Sequence, residues 1–269
     1  MKKTISVVLA LASCFFFLNL CLSSPVSAGA RIDVVVDHGV DNEAETQARS
    51  AIKAIIDFFY STYGLSLERD IRISLVPDKN NFKEAMKRWC GASEDQARHE
   101  AERAAGLQSR GTIIVDLGDR PKRYGRLFTL CHEIVHLFQA QESNDRHGAI
   151  GWMCEGVADA IAAHILENIG LGCPGGYKNQ WTEILQKARS CPSLEILHTH
   201  QGLMAACYNY GPGVTYETSG MAVLTLVQWR GYKPLFTYFS ALKQRSPEDA
   251  FYQAFGARVG DFEKQFRPF

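Results

Sequence analysis

Residues 127–139, reading Leu-Phe-Thr-Leu-Cys-His-Glu-Ile-Val-His-Leu-Phe-Gln, constrain the fold of this chain more than any other stretch. The segment carries His132, Glu133 and His136. Four apart, the two histidines leave a helix on one face, one turn above the other. Two imidazoles so placed suit a single metal ion; the plain alternative for this segment is an amphipathic core helix that happens to carry histidines. Glu133 is rotated off their face, close enough to reach a water on such an ion without being a ligand.

A third ligand has to come from elsewhere. Eighteen residues separate His136 from Glu155, which sits in the apolar run Trp152-Met-Cys-Glu155-Gly-Val-Ala-Asp159. Glu155 completes a set of two histidines and one carboxylate and leaves the fourth position of a zinc ion to water. Asp159, one turn further on the same face, is placed to accept the second N–H of a ligand histidine and so set its tautomer.

His-Glu-x-x-His, then eighteen residues, then Glu-Gly-x-Ala behind a tryptophan resembles the gluzincin zinc metallopeptidases. The likeness is to the core shared by zinc aminopeptidases and the smaller peptidase-MA-like proteins. The thermolysin-like branch also has an aspartate one turn after the third ligand, as Asp159 is here. Tyr216-Glu-Thr-Ser-Gly220 is similar to the Tyr-Glu-x-Gly region downstream in the aminopeptidases, and residues 251–263 resemble the ending of peptidase-MA-like chains. The resemblance implies Zn2+ held by His132, His136 and Glu155, a peptide or protein substrate, and Glu133-assisted attack of a zinc-bound water. It makes the Tyr216 hydroxyl a donor to the oxyanion. It also implies that residues 111–116 form a sheet edge that pairs with an extended substrate; an interior strand is the plain alternative. The Gly-x-Met-Glu-Asn motif of the aminopeptidases is missing ahead of His132, and Gly202-Leu-Met204 lacks its acid, which leaves endopeptidase action open.

The start of the chain reads as a leader. Lys2 and Lys3 precede an apolar run over residues 5–22, and Val26-Ser27-Ala28 offers small residues where a signal peptidase cuts, so cleavage is expected after Ala28. An uncleaved anchor and a lipoprotein box at Leu11-Ala12-Ser13-Cys14 rank behind it, the latter because Phe15-Phe16-Phe17-Leu18 follows. The protein is therefore expected to be secreted or periplasmic, without stable membrane insertion once cut. The whole chain has 29 basic and 29 acidic side chains; losing Lys2 and Lys3 leaves 27 − 29 = −2, which gives no footprint for nucleic acid. Of eight cysteines, Cys14 and Cys21 go with the leader and six remain. An oxidising compartment makes disulfides possible, with Cys173–Cys191 the expected pair.

The 269 residues suffice for one domain with a sizeable core. The first half alternates: strands over 31–36, 71–76 and 111–116, helices over 43–63 and 81–89, and a Ser93/Gln96 capping box opening a helix to Gly106. Asn81 with Glu84 resembles a second capping box. After residue 120 only helices are expected, at 122–141, 152–169, 179–190, 215–230, 234–244 and 247–256. Gly170, Gly231 and Gly256 sit at helix ends, and Pro234 and Pro247 at first turns. The expected class is α+β: residues 29–120 as a lobe with a small mixed sheet, residues 121–269 as a mostly helical lobe, and a gluzincin-like zinc site in the cleft between the two.

The rival reading is a non-catalytic exported binding or structural module, because Cys131 and Cys154 directly precede His132 and Glu155. Structural zinc sites close with four protein ligands, commonly several cysteines. Neighbours on a helix point about 100° apart, which separates Cys131 from His132. Helical spacing turns His164 away from Glu155. His198 and His200 are expected at the surface or in packing, with an oxyanion role as the alternative. Trp229, Tyr232, Phe236, Tyr238 and Phe239 are expected in helix packing.

Overall fold

The computed structural model describes residues 30–118 and 125–268. The leader expected over 1–28, with its cleavage point, and the first residues of the helix expected over 122–141 lie outside them. No helix among the described residues is long and apolar enough to cross a membrane.

Four strands form one mixed sheet: β1 (Ile32–Val36), β2 (Ile71–Val76), β3 (Gly106–Ser109) and β4 (Thr112–Asp116). The order is β1-β2-β4-β3, with β1, β2 and β4 parallel and β3 antiparallel at the edge beside β4. Helix α1 (Asn42–Phe58) carries the chain from β1 to β2. Its first turn is capped by Asp41, which accepts from the Glu43 and Ala44 N–H groups. Helices α2 (Lys79–Ala85) and α3 (Glu94–Arg103) follow β2. Side chains alternate across a strand, and this sheet is covered on both sides. Ile73, Leu75, Ile113 and Val115 pack toward α1 and the later helices, whereas Val76 and Ile114 pack toward α2 and α3.

Two long buried helices come next, α4 (Arg126–Ser143) and α5 (Gly151–Asn168). Their residues are buried almost all round, as their all-round apolar sequences require. Phe59, in a π-helical turn that ends α1, stacks on Phe138 of α4 with ring centres 3.9 Å apart. Helices α6 (Gly176–Lys187), α7 (Leu194–Leu197), α8 (His200–Tyr210), α9 (Pro212–Arg230), α10 (Lys233–Leu242), α11 (Pro247–Phe255) and α12 (Val259–Gln265) complete the chain. α9 lies against α5 at Gly156, where a Cβ would stand 2.4 Å from the Ser219 carbonyl oxygen. α12 is tied to α5 through Glu263, which accepts from Trp152 Nε1 at 2.8 Å and pairs with His198 Nδ1 at 2.7 Å.

The α+β class, the small mixed sheet and the helical second half match the sequence reading, as does the Ser93/Gln96 capping box. Several local expectations are corrected. β4 is interior, between β2 and β3, so residues 111–116 are not the edge; β3 is. β3 and β4 are joined through Arg110 and Gly111, both at positive φ (48° and 81°), as a two-residue type I′ hairpin requires. Asp78, not Asn81, caps α2, accepting from the Asn80 and Asn81 N–H groups. α7, α8 and α12 are short helices with no clear periodic signal. Cys173 and Cys191 are free thiols, like the other four described cysteines. The expected Cys173–Cys191 pair is therefore not formed; α6 lies between the two residues in the chain.

Candidate metal centre

The apolar circumference of α4 buries it between the sheet, α1 and α5, and its polar face is thereby turned toward α5. His132 Nε2 and His136 Nε2 stand 2.9 Å apart. A single oxygen, Glu155 Oε2, lies 3.4 Å from each of them. Donors bound tetrahedrally to zinc at about 2.0–2.1 Å would be about 3.3 Å apart, so the three donor atoms fit one such ion. His132, His136 and Glu155 are one of two groups among the described residues whose donors cluster in this way.

Both imidazoles are held from behind. Fully buried Asp159 meets His132 Nδ1 at 2.8 Å. Gln139, also fully buried, meets His136 Nδ1 through Oε1 at 2.7 Å and donates from Nε2 to the Cys154 carbonyl at 2.9 Å. Because the amide nitrogen is committed to a carbonyl, the atom facing His136 is an acceptor. It fixes the His136 proton on Nδ1 and leaves the Nε2 lone pair for an ion. Asp159 does the same for His132. Asp159 was legible in the sequence by its one-turn offset from Glu155. Gln139, one turn after His136, carries the same spacing signal but is not among the candidates the sequence singles out.

Charge is strongly coupled here. Burial opposes ionisation of Glu155, but His136 and His132 override it and hold the carboxyl well below its usual range. Burial alone would lower both histidines. Asp159 and Glu155 raise His132 to about 9, and Glu155 helps hold His136 well above its ordinary value. A divalent cation satisfies the same carboxylates in place of those protons. Glu133 is different: burial pushes its carboxyl up, which suits a group that takes a proton near neutral pH. It lies beneath the edge strand, where a Cβ on Gly106 would be 2.6 Å from Glu133 Oε1.

The remaining candidates are distributed as follows. Tyr216 is half-buried on α9, one turn before the Ser219 carbonyl that abuts Gly156. His198 is bound to Glu263 and is a packing residue; His200 is exposed at the start of α8. His164 stacks on Tyr232, ring centres 3.9 Å apart. Phe236, Tyr238 and Phe239 are core, while Trp229 is half-exposed beside the Arg230 guanidinium. The Cys131 sulfur faces the Ala162 carbonyl in the core, away from the ligand set. Cys154 instead lies behind His136, Sγ to Nδ1 3.8 Å. His147, in a single 3-10 turn between α4 and α5, approaches the His136 ring to 6.2 Å between centres. Nothing in its polar linker marked it in the sequence.

No model of a known protein family and no curated protein matches the chain.

Proposed function

We propose that the protein is an exported, zinc-dependent peptidase with a gluzincin-like arrangement, in which the sheet lobe and the helical lobe flank the metal. The observation that carries this reading is the convergence of His132 Nε2, His136 Nε2 and Glu155 Oε2 on one point, with the buried Glu133 carboxylate beside it. Three protein donors leave a position open, whereas a structural zinc site closes with four. That disfavours the non-catalytic module.

Bound zinc supplies a Lewis acid that lowers the pKa of water and polarises the scissile carbonyl. The chain's own residues do the rest. Asp159 and Gln139 keep both imidazoles in the ligating tautomer. Glu133 takes the proton of the attacking water on a carboxylate oxygen and passes it to the departing amine nitrogen. The Tyr216 hydroxyl donates to the oxyanion as the carbonyl becomes tetrahedral. The outer edge of β3, above Glu133, pairs with the extended substrate backbone, a role expected of residues 111–116 and transferred here to residues 106–109.

The test is metal analysis after dialysis. Wild-type protein should retain one zinc per chain, and His132→Ala, His136→Ala and Glu155→Ala should lose it. Retention of zinc by all three variants would overturn the assignment.

A further inference from the structure

Cys154 and His147 have no part in the mechanism above, yet both lie against His136. His136, His147 and Cys154 each offer a ligand atom, and those atoms all lie within 4.8 Å of one another. The Cys154 sulfur is 3.8 Å from His136 Nδ1 and 3.7 Å from Gln139 Oε1. His147 Nδ1 is buried with no hydrogen-bond partner among the described residues, and a ring nitrogen so placed is costly unless something satisfies it. We infer that these residues form a second metal site, overlapping the first at His136 and selective for a soft, thiophilic cation such as Cd2+. One thiolate with two imidazoles is the donor set such ions favour over oxygen-loving ones.

The overlap makes the two sites exclusive. A neutral imidazole carries one proton. With that proton on Nδ1, His136 donates to Gln139 and turns Nε2 to the first site. To ligate at the second site, His136 must carry the proton on Nε2 and offer Nδ1. Gln139 then loses its donor and the first site loses a ligand. Cys154 enters as the thiolate, its proton leaving to solvent. His147 ligates through Nδ1 and keeps its proton on Nε2. Gln139 Oε1 gives up His136 Nδ1 to the ion and swings aside. A soft ion at the second site therefore withdraws His136 from the first. That this slows hydrolysis rests on the function proposed above; the second site itself does not.

The test is a titration of zinc-stripped protein with Cd2+, followed by the thiolate-to-cadmium charge-transfer absorption. One equivalent should develop the band. Cys154→Ser, a near-isosteric change, should abolish it, whereas Cys131→Ser and Cys173→Ser should not. His147→Ala, at a partly exposed position, should weaken the site by more than the roughly 10- to 100-fold typical of losing an outer-shell partner. His132→Ala should leave the band in place, because His132 is no ligand of the second site. Gln139→Met should tighten cadmium by releasing Nδ1. A band that survives Cys154→Ser, a wild-type midpoint in His147→Ala, or loss of the band in His132→Ala would overturn the proposal. Failure of the peptidase reading shows separately, as zinc-loaded wild type that cuts no peptide.

Discussion

Gly106→Ala probes the base without touching any ligand. A Cβ at this position would stand 2.6 Å from Glu133 Oε1, 2.7 Å from Glu133 Cγ and 2.7 Å from Thr129 Cγ2. Carbon contacts settle at about 3.5–4.0 Å, so something must move by about 1 Å. Cγ is not the free end of the glutamate, and Thr129 is β-branched and stiff at χ1. Its hydroxyl is also bound to the Gly125 carbonyl at 3.3 Å. The strain therefore falls on the Glu133 carboxylate and on β3. Overpacking of this kind costs about 1–3 kcal/mol. At about 2–4 °C per kcal/mol for a chain of this size, the melting temperature should fall by about 2–12 °C. A catalytic group misplaced by about 1 Å can cost about a hundredfold in rate. The assay is kcat and KM on a peptide substrate, with zinc content measured on the same samples. Zinc should stay at one per chain while kcat falls. Thr129→Ser removes the methyl and keeps the hydroxyl, so the double variant should regain part of the loss. A Gly106→Ala protein with wild-type kcat would refute the placement of Glu133 as the base beneath the edge strand.

Further outcomes follow from the same geometry. Glu133→Gln should abolish hydrolysis with one zinc still bound, since Glu133 is the base and not a ligand; equal loss of zinc would contradict that role. Gln139→Met should weaken zinc by about 10–100-fold in a chelator competition, the reverse of its effect on cadmium. Tyr216→Phe should lower kcat by about a hundred- to a thousandfold with little change in KM or zinc content; a kcat within a few-fold of wild type would remove Tyr216 from the mechanism. Burial lowers His164 from its ordinary 6.5. The unfolded chain therefore binds this proton more readily, and the stability His164 contributes is present above pH 6.5 and lost as pH falls below it. His164→Phe should flatten that part of the loss, read as the difference in urea midpoint from wild type at several pH values with chelator present.

The parts of the site legible in the sequence are those fixed by helix geometry alone. His132 and His136 share a face by their spacing, and Asp159 follows Glu155 by one turn, so their contacts needed only the two helices to meet. Gln139 is one turn from His136 and equally readable, but an amide within an apolar helix has many uses. His147 and the closeness of Cys154 depend on how the chain turns between α4 and α5, which no periodicity encodes. The fold divides in the same way. Strands β1, β2 and β4 announce themselves as β-branched runs. β3 is four residues with glycine, glutamine and serine, joined by an Arg-Gly turn in place of the usual Asn-Gly signal. The edge role was therefore first given to the stronger strand beside it. The Cys173–Cys191 pairing rested on the oxidising compartment, which permits disulfides but does not say which sulfurs the fold brings together.

The central claim is hydrolysis of peptide bonds, and digestion of a diverse peptide mixture tests it most directly. Zinc-loaded wild-type protein is incubated with free and end-blocked peptides, and the products are mapped by mass spectrometry. The account predicts cleavage that stops with chelator, returns with zinc and is absent from zinc-loaded Glu133→Gln. Cuts within the end-blocked peptides would further assign endopeptidase action. Protein that holds one zinc per chain yet leaves every peptide intact would contradict the claim.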